Sequence, residues 1–520
     1  MDTIIVIRLG RLGDVTLTGP TIKNLRFQYP ESRIIFVTRK GYAPIIEMLP
    51  GCDEVLTFPA NGAYFDLVKL SSAIDEHEPR LIVDLHKNFR SFHLANMTKA
   101  PYKVVYHKRR KERQAAVHDK KFVSPIPHTV DLYNVVIDQL KGERIARRPD
   151  LNLDEKILRG AGSAREMVAI APGASSPVKA WPIERFAELA ERIHFDFKLP
   201  IGLFLGPDDG ELQEAFASVP ENALTVYHNQ PLPEIAGLMA RSRFTITNDS
   251  GLMHISSAVG TPTIALFGPT HEQLGFYPLG LHDVILATDE KCRPCSLHGN
   301  KPCYREDQYC FTKMSVDSIY DKTAGIIDRI NLKPAVFIDR DGTLIEDKHY
   351  LADPEGIAFL PGSLEAVRKL KEAGYVVVVV SNQSGVARGF YPVGIVEEVN
   401  DRLCALMNEA GCEPDDIRYC PHYLDGEVTE YSIDCDCRKP KPGMLEEAAA
   451  MLGIDIKRSY MIGDKHSDIL CGRAVGAQPV LVRSGKGTEA EKQLPDHPFM
   501  RPDFICDTLV EAIDFVLSEK

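Results

Sequence analysis

The stretch Val336–Asp347 reads VFIDRDGTLIED, and its interpretation decides the fold of the C-terminal part of this 520-residue chain. The apolar run Ala335–Ile338 has the composition of a buried strand, and it stops abruptly at Asp339-Arg340-Asp341-Gly342-Thr343. Two carboxylates two residues apart, at a strand's C-terminal end, lie where open α/β sheets place their ligands. The first can attack phosphorus and the second can shuttle a proton, which suits an aspartyl-phosphate intermediate. Gly342 lets the backbone turn sharply beside them. A pair of aspartates in a turn is more often a pair of capping residues, so the partners that follow carry the weight.

Those partners come in order. The strand Tyr375–Val380 runs into Ser381-Asn382-Gln383-Ser384-Gly385, a hydroxyl followed by free N–H groups suited to a phosphoryl oxygen. Arg438-Lys439-Pro440 supplies cations that can neutralise charge on a transferred group. The strand Ser459–Ile462 ends in Gly463-Asp464-Lys465, with Asp468 one turn later. A carboxylate at Asp464 can complete a Mg²⁺ site with Asp339. Taken singly, Ser381 reads as a helix cap, Lys439 as a surface lysine and Asp464 as a turn residue. Three of the four fragments sit at expected strand ends.

Between them, Cys420-Pro421-His422 and Cys435-Asp436-Cys437 form two tight ligand pairs across a loop. Such pairs close a tetrahedral site of the structural zinc kind, and the alternatives are a reduced thiol cluster or a disulfide. Zinc there would staple the loop that precedes Arg438 and Lys439.

This arrangement resembles the haloacid-dehalogenase superfamily of phosphatases. DRDGTL, SNQSGVARG, CPH, CDCRKPKPGM and GDK, over about residues 335–490, resemble the D-glycero-D-manno-heptose 1,7-bisphosphate 7-phosphatases. The resemblance implies Asp339 as nucleophile, Asp341 as general acid/base, and Ser381 and Lys439 as holders of the phosphoryl group. It places Mg²⁺ at Asp339, Asp341 and Asp464, and structural Zn²⁺ at Cys420, His422, Cys435 and Cys437. It also brings Asn382, Arg388, Arg438 and Lys465 to the substrate. The histidinol-phosphate phosphatases share nearly the same zinc-bearing pattern and remain the alternative.

Outward from this unit, the N-terminal residues repeat strand and helix twice. Thr3–Ile7, Arg33–Thr38 and Leu81–Asp84 read as strands, Leu9–Val15 as a glycine-containing loop, and Thr18–Tyr29 and His128–Leu140 as helices. The pattern weakens over Lys103–Val123, which holds the basic run Lys108–Arg113. That run reads either as a solvated face or as a patch for a phosphorylated or membrane-bound acceptor. A second series opens at Val168–Ala171, with the loop Pro172–Trp181, the helix Ile183–Ile193, and strands at Ile201–Leu205, Phe244–Thr247 and Thr263–Phe267. Ser315–Ile330 is a closing helix, and Asn331–Pro334 reads as a linker. Alternation of this kind predicts parallel sheets covered on both faces.

Arg8-Leu9-Gly10-Arg11-Leu12-Gly13-Asp14 follows the first strand, and Asp14 can serve as a base for a sugar hydroxyl. Pro172-Gly173-Ala174-Ser175-Ser176 and Lys179-Ala180-Trp181-Pro182 offer hydroxyls, a lysine and N–H groups to a diphosphate. Trp181, the single tryptophan, has packing and ligand roles equally open to it. Asn248-Asp249-Ser250-Gly251-Leu252-Met253-His254 starts a helix after a strand. Ser250 and Gly251 can present N–H groups to phosphate there, and Asp249 can orient a sugar hydroxyl. His254 reads first as a satisfied core histidine.

RLGD, APGASSPVKAWP, TNDSGLMH and ALFGPT together resemble the ADP-heptose:lipopolysaccharide heptosyltransferases, glycosyltransferase family 9, over about residues 1–330. The resemblance implies a GT-B fold and inverting transfer from ADP-heptose without a required metal. Asp14 would be the base, with Ser175, Ser176, Lys179, Asp249, Ser250, Gly251 and His254 on the donor.

Composition agrees with a soluble enzyme: 44% hydrophobic and 26% charged residues, and a net charge of −12 that argues against a general nucleic-acid grip. No stretch is long enough to span a bilayer, and the apolar part of the N-terminus is too short for a signal peptide. The twelve cysteines lack a secreted disulfide framework, so a reducing cytoplasm is expected. Cys292-x2-Cys295, Cys303 and Cys310 form a second cluster, either a zinc knuckle or free thiols.

The expected organisation is α/β throughout: a GT-B pair of Rossmann-like domains at 1–160 (acceptor side) and 161–332 (donor side), then a haloacid-dehalogenase-like domain at 333–520. The expected function is bifunctional. A C7 phosphate is removed from heptose bisphosphate, and heptose passes from ADP-heptose to a lipopolysaccharide core or similar glycan, with peripheral contact at the inner membrane. A histidinol-phosphate phosphatase fused to a glycosyltransferase-like binding module is the alternative.

Overall fold

The computed structural model describes residues 2–120, 122, 125–154, 156–157, 167–327 and 332–519. Three parallel sheets carry the chain. The first contains β1 (Thr3–Ile7), β2 (Arg33–Arg39), β3 (Glu54–Phe58), β4 (Pro79–Asp84) and β5 (Tyr102–Val105), in the order β3-β2-β1-β4-β5. The second contains β6 (Met167–Ala171), β7 (Ile201–Leu205), β8 (Leu224–His228), β9 (Ser242–Asn248), β10 (Thr263–Phe267) and β11 (Val284–Ala287), ordered β11-β10-β9-β6-β7-β8. The third contains β12 (Ala335–Asp339), β13 (Val376–Asn382), β14 (Asp416–Cys420), β15 (Tyr460–Gly463), β16 (Gln478–Val482) and β17 (Phe504–Cys506), ordered β14-β13-β12-β15-β16-β17.

Each sheet is interior where its strands are wholly apolar. Val376–Val380 is a five-valine run paired to β12 on one side and β14 on the other, buried on both faces, as parallel sheets require. In each sheet the chain reverses direction of winding beside the first strand, between β1 and β4, β6 and β9, or β12 and β15. Loops leaving the carboxyl ends of those strands diverge and open a crevice. Asp14, Asp249 and Asp339 lie at the carboxyl ends of strands at these three places.

The chain divides into two compact units. One holds the first two sheets (residues 1–26, 32–143 and 147–330), and the other holds the third (331–520, with 27–31 and 144–146). The expected boundary at 160/161 lies outside the described residues, as do the end of the closing helix (328–330) and Asn331. The rest of the expected linker is tied down, because Lys333 forms a parallel bridge with Ile454. Two stretches differ from their sequence reading. The expected loop Leu9–Val15 contains a short helix, Leu12–Thr16, whose first turn is held by the Arg11 N–H donating to Asp14 (3.4 Å). Where the pattern weakens, β5 and the helix Arg110–Asp119 form. The strand lies at the sheet edge and the helix is mostly exposed, so neither carries a strong apolar period. Among the described residues no helix is long and apolar enough to cross a membrane.

Candidate functional site

Asp339 ends β12, and its carboxylate is buried at the centre of the third sheet. One oxygen accepts from Lys439 Nζ at 2.6 Å and the other from Lys465 Nζ at 3.3 Å. Lys439 also reaches Asp468 (2.7 Å) and the Val380 carbonyl (2.9 Å), while Lys465 pairs with Asp464 (2.9 Å). Burial alone would raise the Asp339 pKa, but the two ammonium groups overcome it and hold the carboxyl down at about 2. It is therefore an ionised nucleophile at neutral pH. Asp464 goes the other way: burial first, then the charge of Asp339, pushes it up to about 7.

Asp339, Asp464 and Asp468 bring one oxygen each to within 4.8 Å of one another. Three buried carboxylates against two ammonium groups leave an excess negative charge, and every donor is a hard oxygen. That set fits a small divalent cation such as Mg²⁺. The glycines make the approach feasible. Gly342 has φ +92°, and a Cβ there would sit 2.4 Å from the Asp464 carboxylate. A Cβ on Gly485 would come to 2.3 Å of the same oxygen.

The expected Mg²⁺ set differs from this one. The side chain of Asp341 is not part of the cluster; it accepts from Arg340 (3.0 Å), Ser381 Oγ (3.2 Å) and Gln383 Nε2 (2.9 Å). Its backbone carbonyl instead accepts from Lys465 Nζ (3.2 Å). β12 ends at Asp339, so Asp341 lies in the turn beyond the strand rather than in its two-residue alternation, and the two carboxylates keep separate partners. Asp468, which the sequence places one helical turn after Asp464 without a role, supplies the third carboxylate. Asn382, expected at the substrate, contacts the backbone of Lys439. Its amide accepts from the Lys439 N–H and donates to the Lys439 carbonyl, both at 3.0 Å, and so fixes that backbone.

The cysteine loop forms one compact cluster. Cys420 and Cys435 Sγ are 3.5 Å apart, Cys435 and Cys437 Sγ 3.2 Å, and His422 Nδ1 lies 3.3 Å from Cys437. All four ligand atoms fall within 4.8 Å of one another, as a tetrahedral thiolate–imidazole site needs. The three cysteines are free of disulfide bonding, so the cluster fits Zn²⁺ rather than a cross-link. Cys437 is followed directly by Arg438, whose guanidinium donates to the His422 carbonyl at 3.0 Å. The loop thereby anchors Lys439. Arg388 and Arg438 both lie over the Tyr423 ring, at 4.0 and 5.1 Å, and form one cationic rim.

In the N-terminal unit a cleft of about 810 Å³ opens between the carboxyl ends of the first and second sheets. Asp14 faces it, paired to Arg8 at 2.7 Å with Tyr133 Oη at 3.4 Å. Burial would raise the Asp14 pKa, yet Arg8 outweighs it and the carboxyl stays below the usual range. It is an available proton acceptor, tempered by its arginine. His86, from the loop after β4, accepts the Leu9 N–H at 2.9 Å through Nδ1, and burial with Arg8 nearby depresses its pKa to about 3.

On the opposite wall, Lys179 pairs with Asp249 at 2.8 Å, and Thr270 Oγ1 donates to the same carboxylate oxygen at 2.8 Å. Ser175, Ser250, Gly251 and His254 also line the cleft, whereas Ser176 is not among its lining residues. His254 is 6% exposed, and burial pulls its pKa down to about 4. Its Nδ1 has no hydrogen-bond partner among the described residues, so it is not the satisfied core histidine of the sequence reading. The two walls touch through their glycines. A Cβ on Gly13 would lie 2.4 Å from the His254 ring, and one on Gly251 2.8 Å from Leu12. Trp181 is core: it is 1% exposed, donates to the Met314 carbonyl (3.0 Å) and packs edge-on against Phe186.

Several lining residues carried no role in the sequence reading. Arg8 stands in the same RLGD stretch as Asp14, and Thr270 in ALFGPT, so their motifs were visible but not their partners. Lys108, Arg110 and Arg113 of the basic run line the cleft. Cys292, Cys295, Cys303 and Cys310 ring a separate small cavity of about 10 Å³. Among the described residues they are not one of the tight ligand groupings.

The fold and these sites define a chain that joins a GT-B glycosyltransferase to a haloacid-dehalogenase-type phosphatase. Residues 67–303 match the model of glycosyltransferase family 9 (heptosyltransferase), and residues 436–512 match that of HAD-hydrolase-like proteins. The chain is 44% identical over 156 residues to D-glycero-beta-D-manno-heptose-1,7-bisphosphate 7-phosphatase of Pasteurella multocida, covering 30% of this chain and 84% of that relative. With the enzyme of the same name from Haemophilus ducreyi, identity is 39% over 186 residues, covering 35% of this chain and 98% of the relative. A glycosyl transferase family 9 structure from Veillonella parvula aligns with a TM-score of 0.52 at 24% identity, over 63% of this chain and 98% of that one. The chain belongs to the D-glycero-β-D-manno-heptose-1,7-bisphosphate 7-phosphatase family through its C-terminal unit, and its N-terminal unit is a glycosyltransferase family 9 domain. The histidinol-phosphate reading is not favoured by these relatives.

Proposed function

We propose that the C-terminal unit removes the C7 phosphate of D-glycero-D-manno-heptose 1,7-bisphosphate and that the N-terminal unit transfers heptose from ADP-heptose to a glycan of the lipopolysaccharide core type. The observation that carries the first half is the buried, ionised Asp339 held between Lys439 and Lys465 beside two further carboxylates. An Asp339 oxygen attacks phosphorus, and the bond to the sugar C7 oxygen breaks as Asp341 protonates that oxygen. Asp341, now a carboxylate, takes a proton from water, which attacks phospho-Asp339 and releases inorganic phosphate. Lys439 and Ser381 hold the phosphoryl oxygens, and Arg388 and Arg438 meet the rest of the substrate. Mg²⁺ held by Asp339, Asp464 and Asp468 would supply charge neutralisation on the phosphoryl group. Zn²⁺ at the cysteine loop would be structural. The relatives are named for the β anomer, which is the form to offer first.

In the cleft, Asp14 takes the proton from the acceptor hydroxyl as that oxygen attacks the anomeric carbon and the ADP diphosphate leaves. Ser250, Gly251 and Lys179 receive the diphosphate, and Asp249 and His254 face the sugar. The acceptor occupies the side lined by Lys108, Arg110 and Arg113. The reactions are not consecutive, because the anomeric phosphate must still be exchanged for a nucleotide diphosphate, so no channel between the sites is implied. The chain's setting is the cytoplasmic side of the inner membrane.

Phosphate release from heptose 1,7-bisphosphate, with histidinol phosphate alongside and Asp339→Asn as the blank, tests the first half. Selective loss of the C7 phosphate supports it, and preference for histidinol phosphate overturns it. Release of ADP from ADP-heptose only when a glycan acceptor is present tests the second.

A further inference from the structure

One side chain of the cleft, His86, has no part in the transfer chemistry above, and its hydrogen bonds fix what it can do. The segments leaving β1 and β4 run side by side and are laced together. The Leu85 N–H donates to the Ile7 carbonyl (3.1 Å), Arg8 Nη1 donates to the Leu85 carbonyl (2.8 Å), and the Leu9 N–H donates to His86 Nδ1 (2.9 Å). Behind His86, Asp84 closes the turn. One of its oxygens accepts the N–H groups of His86 and Lys87, both at 2.8 Å, and the other accepts from Ser91 Oγ at 2.9 Å. The ring is therefore held from two sides.

A backbone N–H can only donate, so the Nδ1 that receives it carries a lone pair and no proton. The one proton of the neutral ring then sits on Nε2. A second proton on Nδ1 would break the bond to Leu9. Burial first, then the cations of Arg8, Lys108 and Arg39, with Asp14 opposing them, hold the pKa down to about 3. At neutral pH His86 is thus an uncharged N–H donor, neither a base nor an acid. It lines the cleft together with Arg8 and Asp14 of the first wall, and Nε2 makes no hydrogen bond to any described residue. A polar N–H held in a cleft in this way is satisfied by water or by an oxygen of a ligand.

We infer that His86 Nε2 donates a hydrogen bond to an oxygen of the acceptor glycan and so keeps the attacking hydroxyl within reach of Asp14. This contact rests on the glycosyltransferase reading of the cleft and adds to it a residue that reads the acceptor without charge. Lys108, Arg110 and Arg113 attract the acceptor electrostatically, which salt screens and which tolerates many orientations. A single N–H on a rigid loop selects one orientation.

Two substitutions separate the two ring nitrogens. His86→Asn keeps an acceptor for the Leu9 N–H near the position of Nδ1 and loses the donor at the reach of Nε2. His86→Gln keeps a donor at that reach. The varied acceptor is a lipopolysaccharide core oligosaccharide lacking heptose, with ADP-heptose saturating. His86→Asn is expected to raise the acceptor KM about five- to tenfold, by the same factor at low and high salt, and to spare the KM for ADP-heptose. His86→Gln should recover most of that loss. An acceptor KM that is unchanged in His86→Asn, or raised equally in both variants, overturns the inference and leaves the transferase reading standing. Calorimetric binding of the same oligosaccharide in the presence of ADP reads the contact without turnover. A native chain that binds it but transfers nothing counts against the transferase reading alone, and the two variants then test His86 by affinity; a chain that does neither overturns both. In the ¹⁵N-histidine-labelled chain, with His86→Asn assigning the signal, the Nε2–H tautomer is expected from about pH 6 to 8. An imidazolium or an Nδ1–H ring in that range overturns the inference.

Discussion

The two enzymatic units place charge in opposite ways. In the phosphatase unit Asp339, Lys439, Asp464 and Asp468 are each at most 3% exposed, and Lys439 contacts Asp339 and Asp468 directly. In the transferase unit the corresponding charges line an open cleft of about 810 Å³, and the only tight pairs are Arg8–Asp14 and Lys179–Asp249 among the lining residues named above. The difference follows from what each must bind. A phosphoryl group is small and is surrounded by groups already aimed at it, so preorganised buried charges are effective. A nucleotide-sugar and a glycan need room, and charge in a wide cleft acts by attraction and orientation.

The largest effect should come from breaking the buried network. Asp339→Asn is expected to lower phosphate release by about 10⁴-fold or more, while ADP release from ADP-heptose is unchanged; parallel assays of both activities check this. The matching change in the cleft, Asp14→Asn, should lower transfer by about 10² to 10⁴-fold and leave phosphate release alone. An effect of either variant on both activities would mean that the sites do not act separately.

Smaller effects sharpen the contrast. Cys435→Ser should reduce phosphate release by about 10- to 100-fold, because the cysteine loop positions Lys439. It should also lower the melting temperature of that unit, with metal analysis showing loss of zinc. Lys179→Met leaves Asp249 buried without its cation, so the KM for ADP-heptose should rise about tenfold or more in steady-state assays, with phosphatase kinetics untouched.

The smallest effect concerns pH. Unfolded, His254 takes a proton near its ordinary value of 6.5, but in the fold only at about 4. The unfolded state therefore binds more protons between these values. Stability of the N-terminal unit is unaffected by His254 above about pH 6.5 and declines as pH falls toward 4, by at most about 1.4 kcal/mol per pH unit. His254→Gln should flatten that slope in urea titrations. His86 and His128, both depressed to about 3, will leave part of the slope in place.

Much was legible in the linear chain because local chemistry repeats what the fold demands. Apolar runs such as Ala335–Ile338 and Val376–Val380 can only be buried strands, and their ends announced Asp339 and Ser381 before any contact was known. The C-x-H and C-x-C pairs carry their ligand spacing within a few residues, so the tight Cys/His cluster was readable for the same reason. Short-range pattern also marked both glycosyltransferase walls, through RLGD and TNDSG.

What lay beyond the linear chain depends on contacts between distant residues. Which carboxylate lies beside Asp339 and Asp464 is set by the directions of side chains after β12 and on the helix after β15; it is that of Asp468, while Asp341 keeps other partners. The use of Asn382 to hold the Lys439 backbone spans 57 positions, and no local pattern encodes it. Gly13 and Gly251 look like turn formers in sequence, yet they are required by the close approach of His254 and Leu12 from the other wall. The edge strand β5 and the basic helix after it were faint for a related reason. Their residues face solvent, so burial imposes little periodicity on them, and their position at the cleft comes from the sheet order alone.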